Sequence, residues 1–247
     1  MRMTLNNIMK LVGGISLMTI LNGCAYADEG NTQVTDPPAS SDTGASRTAE
    51  EAAVEAQFEP LFEFLAAEKK DFSNVQTYVS GLSIDTTSSN LTLEDNNLVL
   101  KLSDAESQIF SGYFNERLNE QGLKYNDEGV KYDVHFVANE VVFENTTSEK
   151  FIHDLYFPIV ATTDIKEGIV TSYSTNHPET ELETLDYKLD KDLPLFKTMQ
   201  SYFNIQEPIQ SASLSLSNQG RKEFNAVFAI STDIKYYTLG ILVVYNN

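Results

Sequence analysis

Residues 223–231, EFNAVFAIS, place Phe224, Ala226, Phe228 and Ile230 at strict period two. That is the pattern of a strand with one face in a core and the other turned to polar surroundings. Outward from it, Tyr236–Tyr245 is apolar on both faces and predicts a central strand after a turn near Asp233. Ala212–Ser217, closed by a turn at Asn218–Gly220, predicts the strand before it. Three strands joined by short turns make an antiparallel meander.

The same alternation recurs upstream. Strands are predicted at Tyr156–Thr162, Ile169–Ser174 and Thr184–Leu189, followed by a helix carrying Leu195, Phe196, Met199, Tyr202 and Phe203. Earlier strands are predicted at Thr77–Ile84, Leu91–Glu94 and Leu98–Leu102, with Asp95-Asn96-Asn97 as a turn. Ser103 and Glu106 read as a capping box for a helix with Ile109, Phe110, Tyr113, Phe114 and Leu118, ending at Gly122. A strand around Asn126–Gly129 precedes a long one at Val130–Phe143, whose parity change near Ala138 predicts a bulge or a bend. Order begins with a second capping box, Thr48 and Glu51. Val54, Phe58, Leu61, Phe62 and Leu65 follow at helical spacing, and Pro60 predicts a kink or a split.

The expected fold class is therefore α+β: antiparallel sheets packed against a few helices. Lys101-Leu102 matches Lys188-Leu189, Ile109-Phe110 matches Leu195-Phe196, and Tyr113-Phe114-Asn115 matches Tyr202-Phe203-Asn204. GVKYDVHF (129–136) matches GRKEFNAVF (220–228). These matches keep one order and suggest two pseudo-repeated strands–helix–strands units, 48–150 and 151–247. Chance resemblance between similar elements is the alternative.

The N-terminus carries Arg2, Lys10 and the apolar run LVGGISLMTIL (11–21), the length of a signal-peptide core and too short for a membrane span. It ends in Leu21-Asn22-Gly23-Cys24, which resembles the lipobox of bacterial lipoproteins, with Asn22 where a smaller residue is usual. The resemblance implies that residues 1–23 are removed and that Cys24 carries lipid. The protein would then be exported and membrane-anchored, on the outer membrane in a diderm cell given Ala25. Ala25-Tyr26-Ala27 offers the rival cut of ordinary secretion, before Asp28. Residues 24–47, ending in DEGNTQVTDPPASSDTGASR (28–47), have almost no large apolar side chains and read as a disordered tether.

Removing residues 1–23 takes away two positive charges and no acid, so the formal charge moves from −19 to −21. Such a chain repels phosphate backbones, and no nucleic-acid partner is expected. A protein or small-ligand partner is, cationic if charge decides it. Cys24 is the single cysteine, so a lipidated chain has no disulfide and depends on its core.

No HExxH, GxSxG, Walker A, GxGxxG, EF-hand or CxxC motif occurs. His135, His153 and His177 lack metal-ligand spacing; His135, on a strand, is expected to face solvent or a polar neighbour. Asp186–Asp192 (DYKLDKD) could offer oxygens to calcium, although its lysines argue against it. The aromatic residues fall on periodic apolar faces and read as core. No catalytic residue, metal site or cofactor is assigned. The expected function is a non-catalytic envelope binding or interaction domain. The alternatives are an envelope hydrolase built on His135 or His153 with a carboxylate, and a structural or assembly lipoprotein.

Overall fold

Ten strands form one antiparallel sheet in the computed structural model, which describes residues 47–68, 72–85, 90–119, 129–174, 182–220 and 222–245. The strands are β1 (Asn74–Asp85), β2 (Asn90–Asp104), β3 (Ile109–Asn119), β4 (Val130–Val137), β5 (Glu140–Phe143), β6 (Ile169–Ser174), β7 (Leu182–Lys188), β8 (Ser211–Gln219), β9 (Glu223–Ser231) and β10 (Lys235–Val244). The helices are α1 (Ala49–Glu55), α2 (Glu59–Ala66), α3 (His153–Tyr156), α4 (Thr162–Lys166) and α5 (Pro194–Tyr202).

The strand order is β5-β4-β3-β2-β1-β10-β9-β8-β7-β6. Every neighbour but one is adjacent in sequence; the exception is the central pair, β1 with β10, aligned by Val75↔Val243, Tyr78↔Gly240 and Gly81↔Tyr237. Residues 48–150 thus supply one half of the sheet and residues 151–247 the other.

One face of the sheet is covered. Val75 and Val79 on β1, Leu239 and Ile241 on β10, and Phe224 and Phe228 on β9 point to it and are buried. Helix side chains fill the other side of this core. Phe58, in the 3₁₀ turn Ala56–Phe58 between α1 and α2, meets Phe224 edge to face, and Phe196 of α5 meets Phe228. Phe114 of β3 packs on Tyr156 of α3 at 5.2 Å. Aromatic pairs of this kind add about 0.5–1.5 kcal/mol each beyond the area they bury. EFNAVFAIS is β9, as its alternation requires.

The Thr48 capping box forms in full, with Glu51 N–H donating to Thr48 Oγ1 and Thr48 N–H to the Glu51 carboxylate. Pro60 splits the predicted helix: it sits in the first turn of α2, where its missing N–H costs nothing, after the 3₁₀ turn has ended α1. Strands β6 to β10 and helix α5 fall where the periodicity puts them.

Four expectations are corrected. The helix after Ser103 is strand β3. Ser103 Oγ instead donates to Ile109 O and Asp104 Oδ1 accepts from Glu106 N–H, closing a tight turn between β2 and β3. Gly112 explains why β3 wins: a β-carbon there would sit 1.7 Å from Val99 O, so this glycine admits the close approach of β2. Asp95-Asn96-Asn97 is not a turn but the middle of β2, where cross-strand partners satisfy its polar side chains. The parity change near Ala138 is a two-residue hairpin turn, with Ala138 and Asn139 both at positive φ. Tyr156–Thr162 is not a strand; it links α3 to α4 through Pro158, and Val160 N–H is bonded to Leu65 O of α2.

The signal sequence, Cys24, Ala25-Tyr26-Ala27, the tether up to residue 46, Gly122, the strand expected at Asn126–Gly129 (all but Gly129) and His177 lie outside the described residues. Among the described residues no helix is long and apolar enough to cross a membrane.

Candidate functional site

No described helix lies on the second face of the sheet. Its composition follows from register. The row through Tyr78 reads Lys131, Asn115, Asn97, Tyr78, Gly240, Val227, Ser215, Asp186 and Ser172 across nine strands. The row through Gln76 carries Asp133, Tyr113, Val99, Leu242, Asn225, Ser217 and Thr184. Amides, hydroxyls and tyrosines dominate where a second core layer would need aliphatic side chains.

Several of these groups are shielded. Tyr78 is 8% exposed, Thr238 5% and Asn115 4%. Burial, reinforced by Tyr236 and Asp95, pushes the Tyr78 phenol well above its ordinary range, so it is a neutral hydroxyl at any physiological pH. Ser80 Oγ donates to Asp95 Oδ1 at 2.8 Å, and Lys131 Nζ lies 4.6 Å from the Tyr113 ring centroid. Among the described residues, four buried side-chain atoms on this face have no hydrogen-bond partner: Asn74 Oδ1, Asn115 Oδ1, Arg117 Nε and Asn225 Oδ1. Leaving such an atom unmet costs about 1–3 kcal/mol, and a concentration of them on one face calls for an explanation.

A second polar cluster sits on the covered face, where β2 and β3 run past the helices. Asn96 Nδ2 donates to Tyr202 Oη (2.8 Å) and Glu94 Oε1 (3.1 Å), and Asn96 Oδ1 accepts from Arg117 N–H. Lys150 pairs with Glu94 at 2.8 Å, and Ser148 donates to Glu116. Burial pushes the Tyr202 phenol up to about 12, against the lowering hydrogen bond from Asn96. Every strong donor and acceptor here is used internally, so the cluster clasps the 144–152 segment to the sheet.

The histidines separate. His135 Nδ1 is 2.9 Å from Ser111 Oγ, and its Nε2 is 2.7 Å from Glu144 Oε1. This serine–histidine–carboxylate line has the partners of a hydrolytic triad, and the sequence paired His135 with none of them. Ser111 lies mid-strand between Lys101 and His135, so its own backbone N–H is held in the sheet plane and does not form an oxyanion site of the kind found at a sharp turn. His135 and Glu144 are both 43% exposed, leaving the line open to water. His153 bonds Asn139 O through Nε2 at 3.0 Å and stacks on Phe157.

The Asp186–Asp192 acids do not converge. Asp186 accepts from Ser172 Oγ, while Asp190 accepts from Asp192 N–H. Among the described residues no three His, Cys, Asp or Glu side chains gather as a metal site.

Arg47, the last residue of the expected tether, is held firmly. Its guanidinium donates to Lys166 O and Gly168 O at 2.9 Å, pairs with Glu55 at 3.3 Å and stacks over Tyr187. The described residues thus begin at a fixed point beside edge strand β6.

Sequence reading missed Asn97, Asn115 and Arg117, because the first was placed in a turn and the others in a helix. The serines at 211, 213, 215 and 217, alternating with Ala212, Leu214 and Leu216, were the legible sign of a polar second face. No protein-family profile matches the chain, and no curated protein sequence matches it either.

Proposed function

We propose that this protein is an exported bacterial lipoprotein, anchored through lipid on Cys24, whose folded domain binds a partner without catalysis on the polar second face of its sheet. The observation that carries the binding reading is the polar composition of that face, whose rows of amides, hydroxyls and tyrosines carry no described helix. The anchor rests on the signal-like N-terminus and the Leu21–Cys24 pattern, and a tether over residues 24–46, ahead of the held Arg47, gives the domain reach from the bilayer.

Two experiments test this. A photo-cross-linking residue at Gln76 or Val227 captures a ligand or partner in the envelope, while the same residue at Thr198 on α5 does not; equal labelling at both sites overturns the binding reading. Mass spectrometry of the mature N-terminus finds acylated Cys24; a free Asp28 overturns the anchor.

Two observations support descent of the halves from one repeated unit. The strand order is head to tail, with β2 and β7 carrying the Lys-Leu match and β4 and β9 the GVKYDVHF match. Gly129 and Gly220, which open the last match, both have positive φ, +67° and +60°. The other matches do not correspond: Ile109-Phe110 is in β3 and Leu195-Phe196 in α5.

A further inference from the structure

We propose that α1, with Arg47 ahead of it, is a latched strap that swings off the outer end of the core as one unit while the sheet and α2 stay folded. Its adhesion, its cooperativity and its hinge all point to this.

The adhesion of α1 is mostly polar. Of its seven side chains only Val54 is both apolar and buried. Helix α2, one residue longer, buries Leu61, Phe62, Phe64 and Leu65. In place of such contacts, Arg47 donates to Lys166 O and Gly168 O, Tyr173 Oη donates to Glu50 at 2.7 Å, and Glu55 accepts from Arg47 and Tyr187. A segment with few buried apolar contacts opens at a lower free energy than the core it lies on.

The two ends of the strap depend on each other. Glu55 Oε1 accepts from Tyr187 Oη at 2.5 Å and from Arg47 Nε at 3.3 Å, so residues at both ends share one carboxylate oxygen. The Arg47 guanidinium also lies over the Tyr187 ring, 5.2 Å from its centroid. Letting go of either end leaves the other with a shielded polar group short of its partner, which favours release of both. The strap therefore opens whole and does not fray from one end.

The hinge is the 3₁₀ turn Ala56–Phe58, which interrupts the helical ladder between α1 and α2. Short 3₁₀ breaks of this kind mark hinges. Ala56 is exposed and Gln57 half-buried, whereas Phe58 is fully buried against Phe224. Rotation about Ala56 and Gln57 moves α1 and leaves Phe58 seated.

Helix α1 lies on β6 and β7, so its release bares Tyr187 and the outer end of the core. The chain ahead of Arg47 joins at the latch, and a pull from that side reaches Arg47 before any strand. The strap stands without the anchor proposed above; only the source of such a pull, lipid on Cys24, rests on that reading.

The test is hydrogen exchange of the full chain, read by mass spectrometry over residues 50–57, 61–66 and 237–243. Protection of 50–57 is expected to be lower by about tenfold or more, and to change little in dilute urea, the sign of a local opening. Arg47→Lys keeps the charge and loses the fork that reaches two carbonyls and Glu55. It should lower protection of 50–57 by about a further tenfold, the size of one charge-assisted hydrogen bond, and leave the other two segments unchanged. Glu55→Gln should give the same pattern from the other end of the strap. Residues 50–57 protected as strongly as 61–66, or a variant that loosens all three segments alike, overturns the strap. Stretched in optical tweezers from its N-terminal and C-terminal ends, the chain should give a first step on the order of 30 Å before the sheet yields. Arg47→Lys should lower the force of that step alone, and a single all-or-none step overturns the pull-driven release. A free Asp28 at the mature N-terminus overturns the anchor and leaves the strap standing.

Discussion

The ring of Tyr78 lies directly over Gly240, its partner across the central strand pair, so closely that a β-carbon on Gly240 would sit 1.8 Å from Tyr78 Cζ. The glycine is a docking place for a ring, and the ring in turn roofs the junction between the two halves of the sheet. Gly240→Ala must push a phenol that is 8% exposed out of its seat. The expected cost is about 1–3 kcal/mol, read as a lower urea midpoint. Tyr78→Ala in the same background should make the two losses less than additive, because the clash disappears with the ring.

Glu55 joins Arg47 and Tyr187 in one buried contact; Tyr187 Oη donates to its carboxylate at 2.5 Å. Glu55→Ala leaves a guanidinium and a phenol facing each other without their shared acceptor. A loss of about 2–3 kcal/mol is expected, against about 1 kcal/mol for Tyr187→Phe. Limited proteolysis adds a positional readout: cleavage near Arg47 should appear in Glu55→Ala before the sheet melts.

Burial raises the phenols of Tyr202 and Tyr237 to about 12 in the folded protein. In the unfolded chain a tyrosine ionises near pH ~10. Their stabilising contribution is therefore whole below about pH 10 and is lost as the pH climbs toward about 12, since the unfolded chain sheds protons that the folded one retains. Melting temperature followed by circular dichroism should fall over that window, and Tyr202→Phe should make the fall shallower.

The Ser111–His135–Glu144 line gives a sharp enzymatic test. Without an oxyanion site, the protein should hydrolyse an activated ester no faster than its Ser111→Ala variant. A Ser111-dependent rate that is also lost in His135→Ala would favour the hydrolase over the binding domain.

What the sequence could and could not convey follows from where each signal originates. EFNAVFAIS, the serine alternation of β8 and the apolar β10 are local patterns enforced by one buried face, and they are legible as such. Residues 109–118 are not. Ile109, Phe110, Tyr113 and Phe114 fit a helical stripe as well as they fit alternate sides of a strand. The deciding fact is the contact of Gly112 with Val99 O, which exists only once β2 is in place. Asp95-Asn96-Asn97 misleads for a related reason: three turn-forming side chains stay in a strand because Ser80 and Tyr202 come to meet them. The polar second face is a property of cross-strand register. No single segment of the chain contains it.

The pairing of β1 with β10 also governs when this protein can fold. Ser73 donates both its N–H and its hydroxyl to Val244 O, 171 residues away. The central ladder cannot start to form before the far end of the chain is at hand. For a polypeptide delivered N-terminus first, α1, α2 and β1 must wait with their apolar faces unsatisfied until nearly everything else has emerged. Loop closure over that distance makes folding slow relative to a locally wired domain. Under the export proposed above, the same delay would keep the chain threadable throughout transport: an arrangement that postpones its keystone strand to the last postpones collapse as well.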